Sequence, residues 1–139
     1  MSAPAFSLLI LEDDPDFRET CGRWMARKGH SVATAANGHE ALELCDRRTF
    51  DVAVVDMNMP GLTGLEVLDR MKTARSETEV IILTGQGTIE SAVNAMKLGA
   101  CDYLTKPFPM DELEQRYLMA WDRSRLQREN RQLRAILER

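Results

Sequence analysis

Asp51-Val52-Ala53-Val54-Val55-Asp56, followed at once by Met57-Asn58-Met59-Pro60-Gly61, decides how the rest of the chain is read. Four apolar residues end on a carboxylate, and a Pro-Gly turn signal follows. Such a run reads as a strand covered on both faces that empties into a loop at Asp56. Burying a carboxylate is costly unless a partner meets it. Three other short apolar runs end the same way: residues 8–11 lead into Glu12-Asp13-Asp14, residues 80–83 into Thr84, and residues 103–105 into Lys106. In a parallel sheet the carboxyl ends of the strands share one edge, and ligands bind there.

Outward from that stretch, five apolar runs (6–11, 31–35, 52–56, 80–84 and 102–105) alternate with helical patterns. Asp14 caps a first helix with Pro15 at its opening position, Gly29 past its end, and Phe17, Cys21, Trp24 and Met25 inward. Asn37-Gly38 marks a turn before a second helix over 40–47, with Ala41, Leu44 and Cys45 inward. Thr63 and Glu66 have capping-box spacing ahead of Leu65, Leu68 and Met71. Thr88 caps a fourth helix over 89–98, which Gly99 ends. Asp111 opens a fifth after Pro109. This alternation with short connections predicts an α/β fold. The expected form is a doubly wound five-stranded parallel sheet of order 2-1-3-4-5, flavodoxin-like, with helices on both faces.

The fifth helix is too long for that fold alone, because no Gly or Pro follows Asp111. Residues 1–121 read as the domain and 122–139 as a helical extension. Met119, Arg123, Leu126, Asn130, Leu133 and Leu137 alternate at spacings of four and three, a heptad seam with Asn130 at an a position. The seam predicts a coiled coil and a homodimer; a solvated tail is the alternative reading. The extension carries six Arg against three acids, spread around the helix. Because the heptads run to the last residues, an output domain is expected beyond them.

The chain has 139 residues and a net charge of -4, which suits one globular domain and gives no general basic face for nucleic acid. No apolar stretch approaches the length of a membrane span, and no secretory signal opens the chain. Cys21, Cys45 and Cys101 are odd in number and far apart, as reduced core thiols of a cytoplasmic protein would be.

Glu12, Asp13 and Asp56 would place three carboxylates together. Like charges that close raise one another's pKa values unless a cation intervenes. An all-oxygen site of this kind suits Mg²⁺, with the Asn58 backbone carbonyl as a further ligand. Beside such a cation Asp56 can act as a nucleophile toward phosphorus. Lys106 would hold a phosphoryl oxygen as a point charge, and Thr84, next to the small Gly85, offers a hydroxyl. Taken singly, Thr84 could be a plain strand residue and Lys106 a solvated loop lysine; four matching strand ends argue for a site.

Leu11-Glu12-Asp13-Asp14, Asp56-Met57-Asn58-Met59-Pro60-Gly61, Thr84-Gly85 and Asp102-Tyr103-Leu104-Thr105-Lys106-Pro107-Phe108 together resemble the receiver domain of bacterial two-component response regulators. The resemblance covers about residues 6 to 121. It implies that Asp56 accepts a phosphoryl group from a histidine kinase in a Mg²⁺-dependent reaction. It further implies that Asp13 binds the metal directly and Glu12 mainly through water. Glu12 departs from the usual Asp, and its longer arm bears on the metal geometry. The Lys106–Pro107 peptide bond is expected to be cis. Thr84 and Tyr103 would relay the switch to a face built from the fourth helix, fifth strand and fifth helix, through which a homodimer would also form. Asn58 and Gln86 would tune loss of the phosphoryl group. Thr84-Gly85-Gln86-Gly87-Thr88 and the extended helix further resemble receivers of AAA+ transcriptional activators that work with an alternative sigma factor; the chain itself contains no P-loop.

Rival readings are an aspartyl-nucleophile phosphatase, which would want an acid where Asn58 stands, and a flavin module, which would want a hydroxyl-rich loop where Glu12-Asp13-Asp14 stands. A third is a purely structural dimerisation module.

Overall fold

In the computed structural model, which describes residues 5–138, all five apolar runs are strands. β1 (Ser7–Leu11), β2 (Ser31–Ala35), β3 (Val52–Asp56), β4 (Glu79–Thr84) and β5 (Asp102–Thr105) form one parallel sheet of order β2-β1-β3-β4-β5. The helices α1 (Pro15–Arg27), α2 (Gly38–Arg47), α3 (Gly64–Thr73), α4 (Ile89–Lys97) and α5 (Met110–Leu137) alternate with them. Residues 1–4, with which the proposed domain begins, and Arg139, with which the extension ends, lie outside the described residues.

Every residue of β3 and β4 is buried, as expected of central strands packed on both faces. Strand alternation divides the core in two. Leu9, Leu11, Ala53, Val55, Val80 and Ile82 face α2, α3 and α4, with Val67, Leu68 and Met71 against them. Leu8, Ile10, Val52, Val54, Ile81 and Leu83 face α1 and α5, where Cys21, Met25, Leu113 and Tyr117 close over them. Phe17 and Trp24, on the expected stripe of α1, are only partly buried. Burial pushes the Cys21 and Cys101 thiols up to about 12, so both stay protonated and inert at neutral pH.

The caps are largely those expected. The Asp14 carboxylate accepts from the Asp16 N–H at 3.0 Å, and Thr63 with Glu66 forms a full capping box. Thr88 does the same with Ser91, whose hydroxyl takes the place of the usual acid. The second helix opens two residues earlier than expected. Asn37 accepts from the Glu40 N–H at 3.0 Å while Glu40 reaches back to the Ala36 N–H at 2.9 Å, so the loop residues form the cap itself.

α5 has 28 residues. Leu113, Tyr117 and Ala120 bury its first half on the sheet. Its outer stripe is open: Met119 is 65 % exposed, Leu126 56 %, Leu133 60 % and Leu137 82 %.

Candidate functional site

The parallel register brings the strand ends together. Asp56 stands opposite Leu83, and Thr84 opposite Thr105, one residue before Lys106. Three backbone bonds lock the loops beyond: the Met57 N–H donates to Leu83 at 2.7 Å, the Lys106 N–H to Thr84 at 2.7 Å, and the Glu12 N–H to Ala35 at 3.1 Å. Gly64, at the start of α3, lets that helix lie against the Asp56 loop; a Cβ there would stand 2.2 Å from the Asp56 carbonyl oxygen.

Glu12, Asp13 and Asp56 converge, each offering a carboxylate oxygen within 4.8 Å of the others. Glu12 is fully buried and Asp56 nearly so, while Asp13 is open to solvent. Lys106 Nζ forms an ion pair with Glu12 Oε1 and lies 3.8 Å from Asp56 Oδ1. Glu12 Oε2, also buried, has no hydrogen-bond partner. Burial, then the hydrogen bond and charge of Glu12, push the Asp56 carboxyl up to about 7; Lys106 and the Asn58 N–H, 3.3 Å from Asp56 Oδ1, pull the other way. Uncompensated negative charge, an orphaned carboxylate oxygen and an all-oxygen donor set fit a hard divalent cation of the Mg²⁺ type. The solvent-open Asp13 side leaves room for the waters such an ion retains.

Thr84 is fully buried, and its hydroxyl accepts from the Gln86 N–H at 3.2 Å and from Asn58 Nδ2 at 3.4 Å. Asn58 and Gln86 thus meet at the Thr84 hydroxyl. Tyr103 is half-buried, its hydroxyl 2.7 Å from Ser91 Oγ on α4. The Lys106–Pro107 bond is cis.

Three supporting residues escaped the sequence reading. The Phe17 ring lies under Lys106, with Nζ 4.5 Å from its centroid, and Phe108 braces it edge-on at 5.9 Å. Arg18 donates to the Glu12 carbonyl at 2.8 Å, tying α1 to the acidic loop. Ser91 anchors Tyr103. Phe17 was legible only as a core residue of α1. Arg18 and Ser91 carried no signal beyond lying one turn into their helices.

Residues 8–118 match the response regulator receiver domain family, and the chain belongs to it. Receivers of this family bind Mg²⁺ at an acidic pocket, are phosphorylated by histidine kinases and act as regulatory domains rather than conventional enzymes. The chain is 38 % identical over 106 residues to the transcriptional regulatory protein TcrA of Mycobacterium tuberculosis, covering 76 % of this chain and 42 % of TcrA. It is 39 % identical over 123 residues to the transcriptional regulatory protein DltR of Streptococcus agalactiae, covering 88 % of this chain and 55 % of DltR. It therefore spans about half the length of these curated relatives. Among solved structures, NtrX from Brucella abortus superposes with a TM-score of 0.88 at 33 % identity, over 94 % of this chain and 30 % of NtrX. A Francisella response regulator receiver domain superposes with a TM-score of 0.81 at 33 % identity, over 88 % of this chain and 99 % of the other. No described helix is long and apolar enough to cross a membrane.

Proposed function

We propose that this chain is a phosphorylation switch in which Asp56 is the phosphoacceptor. The observation that carries the reading is the convergence of Asp56, Glu12, Asp13 and Lys106 at one sheet edge. A carboxylate oxygen of Asp56 would attack the phosphorus of a kinase phosphohistidine; the P–N bond breaks, and its electron pair returns to the imidazole, which then takes a proton. Glu12, Asp13, Asp56 and the Asn58 carbonyl would hold Mg²⁺, which supplies positive charge against the phosphoryl oxygens. Lys106 supplies a second cation from its seat on Phe17.

The aspartyl phosphate carries about -1.5 to -2 charges where the Asp56 carboxylate carried at most one, so phosphorylation adds roughly one negative charge and three acceptor oxygens near Thr84. Thr84 would leave Asn58 and Gln86 to donate to the new oxygens, and Tyr103 would follow into the space. Asn58 and Gln86, which both donate to the Thr84 hydroxyl, would set the lifetime of the phosphoryl group. Weak self-catalysed phosphotransfer from small donors, and slow dephosphorylation, belong to the same reading.

The signal would leave through the α4-β5-α5 face, where Ile89, Val93 and Met96 of α4 and Met119 of α5 are exposed. A homodimer through this face and through the seam of Met119, Leu126, Asn130, Leu133 and Leu137 fits that exposure. Likeness to transcriptional regulators and to NtrX supports transcription as the output, through a domain of the AAA+ sigma-factor-dependent type, in the cytoplasm. Residues 1–121 would be the receiver and 122–139 the link to that domain, with no direct contact to nucleic acid.

The test is intact-mass spectrometry with Mg²⁺ and acetyl phosphate. One phosphoryl group should add to the protein, and none to Asp56→Ala or to the protein in EDTA. Equal labelling of Asp56→Ala would end the proposal, and sustained turnover of a phosphate ester dependent on Asp56 would favour a phosphatase.

A further inference from the structure

The extension of α5 is not free of the domain. Three of its arginines turn back onto acids at the edge of the sheet opposite to Asp56. Arg128 Nη2 donates to Asp51 Oδ1 at 2.9 Å, Arg131 pairs with Glu77, and Arg123 Nε lies 3.7 Å from Glu79 Oε2. Ser124 is buried between them. Asp51 is itself built in, since its other oxygen accepts from the Ser7 N–H at 2.8 Å. The Glu79 side chain is only 8 % exposed. Arg128 Nε is buried 4.0 Å from Glu77 without a hydrogen bond, so the contact is charge-matched more than it is tightly bonded.

On a helix advancing roughly 100° per residue, Tyr117, Ala120, Ser124, Arg128 and Arg131 form one face. Met119, Leu126, Asn130, Leu133 and Leu137 lie nearly opposite. Docking in cis therefore leaves the apolar positions of the stripe free, while Arg123, the polar seam position beside them, reaches round to Glu79. The acids have telling positions: Asp51 directly precedes β3 and Glu79 opens it neighbour β4, the two strands whose far ends carry Asp56 and Thr84.

We propose that residues 122–131 are a docked arm of the domain, held by an arginine latch on Asp51, Glu77 and Glu79, so that the arm moves with β3 and β4 and aims the outward stripe. Single exposed ion pairs contribute little. Here several act on one rigid helix, with two partners largely buried, and the apolar contacts of Tyr117 and Ala120 fix the approach. The proposal does not depend on phosphorylation.

Hydrogen exchange with mass readout on the whole chain tests it. Arg131→Glu and Glu77→Arg should each speed exchange of amides in 125–137, roughly three- to tenfold. The double swap should restore at least half of the protection. Raising NaCl to about 1 M should mimic the single reversals, because screening weakens charge pairs while leaving apolar docking intact. Exchange in β3 (Val52–Asp56) serves as the folding control and should not change. Unaltered exchange in both single reversals, or a swap no better protected than either, would overturn the latch. Phosphorylation of Asp56 should proceed in all variants, so failure here is separable from failure of the switch reading.

Discussion

Replacing Asp56 by Asn should stabilise the fold when divalent cations are removed, even though it destroys the proposed switch. Burial and the neighbouring Glu12 raise the Asp56 carboxyl from 3.8 to about 7. Between those two values the folded protein keeps the proton and the unfolded chain releases it. Stability therefore falls as pH rises through that window and is level above it. At about 1.4 kcal/mol per pH unit, the full displacement corresponds to at most ~4 kcal/mol of destabilisation above neutrality. Local relaxation and water entry trim such penalties, and Asn forgoes the attraction of Lys106 at 3.8 Å. A net gain of roughly 2 kcal/mol at about pH 8 is expected.

Urea unfolding in EDTA, followed by circular dichroism from about pH 4.5 to about pH 8.5, reads this directly. The Asp56→Asn protein should unfold at higher urea than the wild type near pH 8, and the gap should close toward the acid end. Mg²⁺ should then raise the wild type by mass action and leave the variant nearly unmoved. A variant no more stable than wild type near pH 8, or a gap independent of pH, would refute the account of Asp56 as a carboxylate held at an electrostatic cost.

Two further outcomes follow from packing. Gly64→Ala drives a methyl toward the Asp56 carbonyl, to 2.2 Å before relaxation; it should cost roughly 1–3 kcal/mol in urea unfolding and depress acetyl phosphate labelling by displacing the loop. Leu133→Asp, at a site already 60 % exposed, should change the stability of a single chain by no more than roughly 0.5 kcal/mol. It should nonetheless move a dimer to monomer in sedimentation, as should Asn130→Val change its association; no change with either would discard the seam.

The sheet and the site were legible for one physical reason. A fully covered parallel strand must be apolar along its length, so a polar residue at its carboxyl end stands out, and topology then gathers those ends. Asp56, Thr84, Lys106 and the Glu12-Asp13 pair were readable in that way. How deeply each sits was not. Glu12 is more buried than Asp13 because β1 is flanked on both sides and the acidic loop is tied to Ala35 and Arg18, and contacts of such separation leave no periodic trace. The cation–π seat of Lys106 on Phe17 was hidden for the same reason, since an aromatic on the inward stripe of α1 already had a use in the core.

The arm of α5 shows where periodic reading stops. Heptad spacing registers apolar residues, and it found the outward stripe. Beyond Trp121, which stacks on Phe6 at 5.3 Å, the face that meets the domain is Ser124, Arg128 and Arg131, polar at every position, and its partners Asp51, Glu77 and Glu79 lie more than forty residues away. Spread around a helix, six arginines look like solvation. Among the described residues four of them find acidic partners, and these divide only when the sheet edge is in place: Arg125 pairs within the helix with Asp122 and Glu129, while Arg123, Arg128 and Arg131 reach the domain. A charge pattern without apolar periodicity can thus extend the docking of a helix that apolar contacts have already placed, provided a rigid edge holds the opposite charges in register.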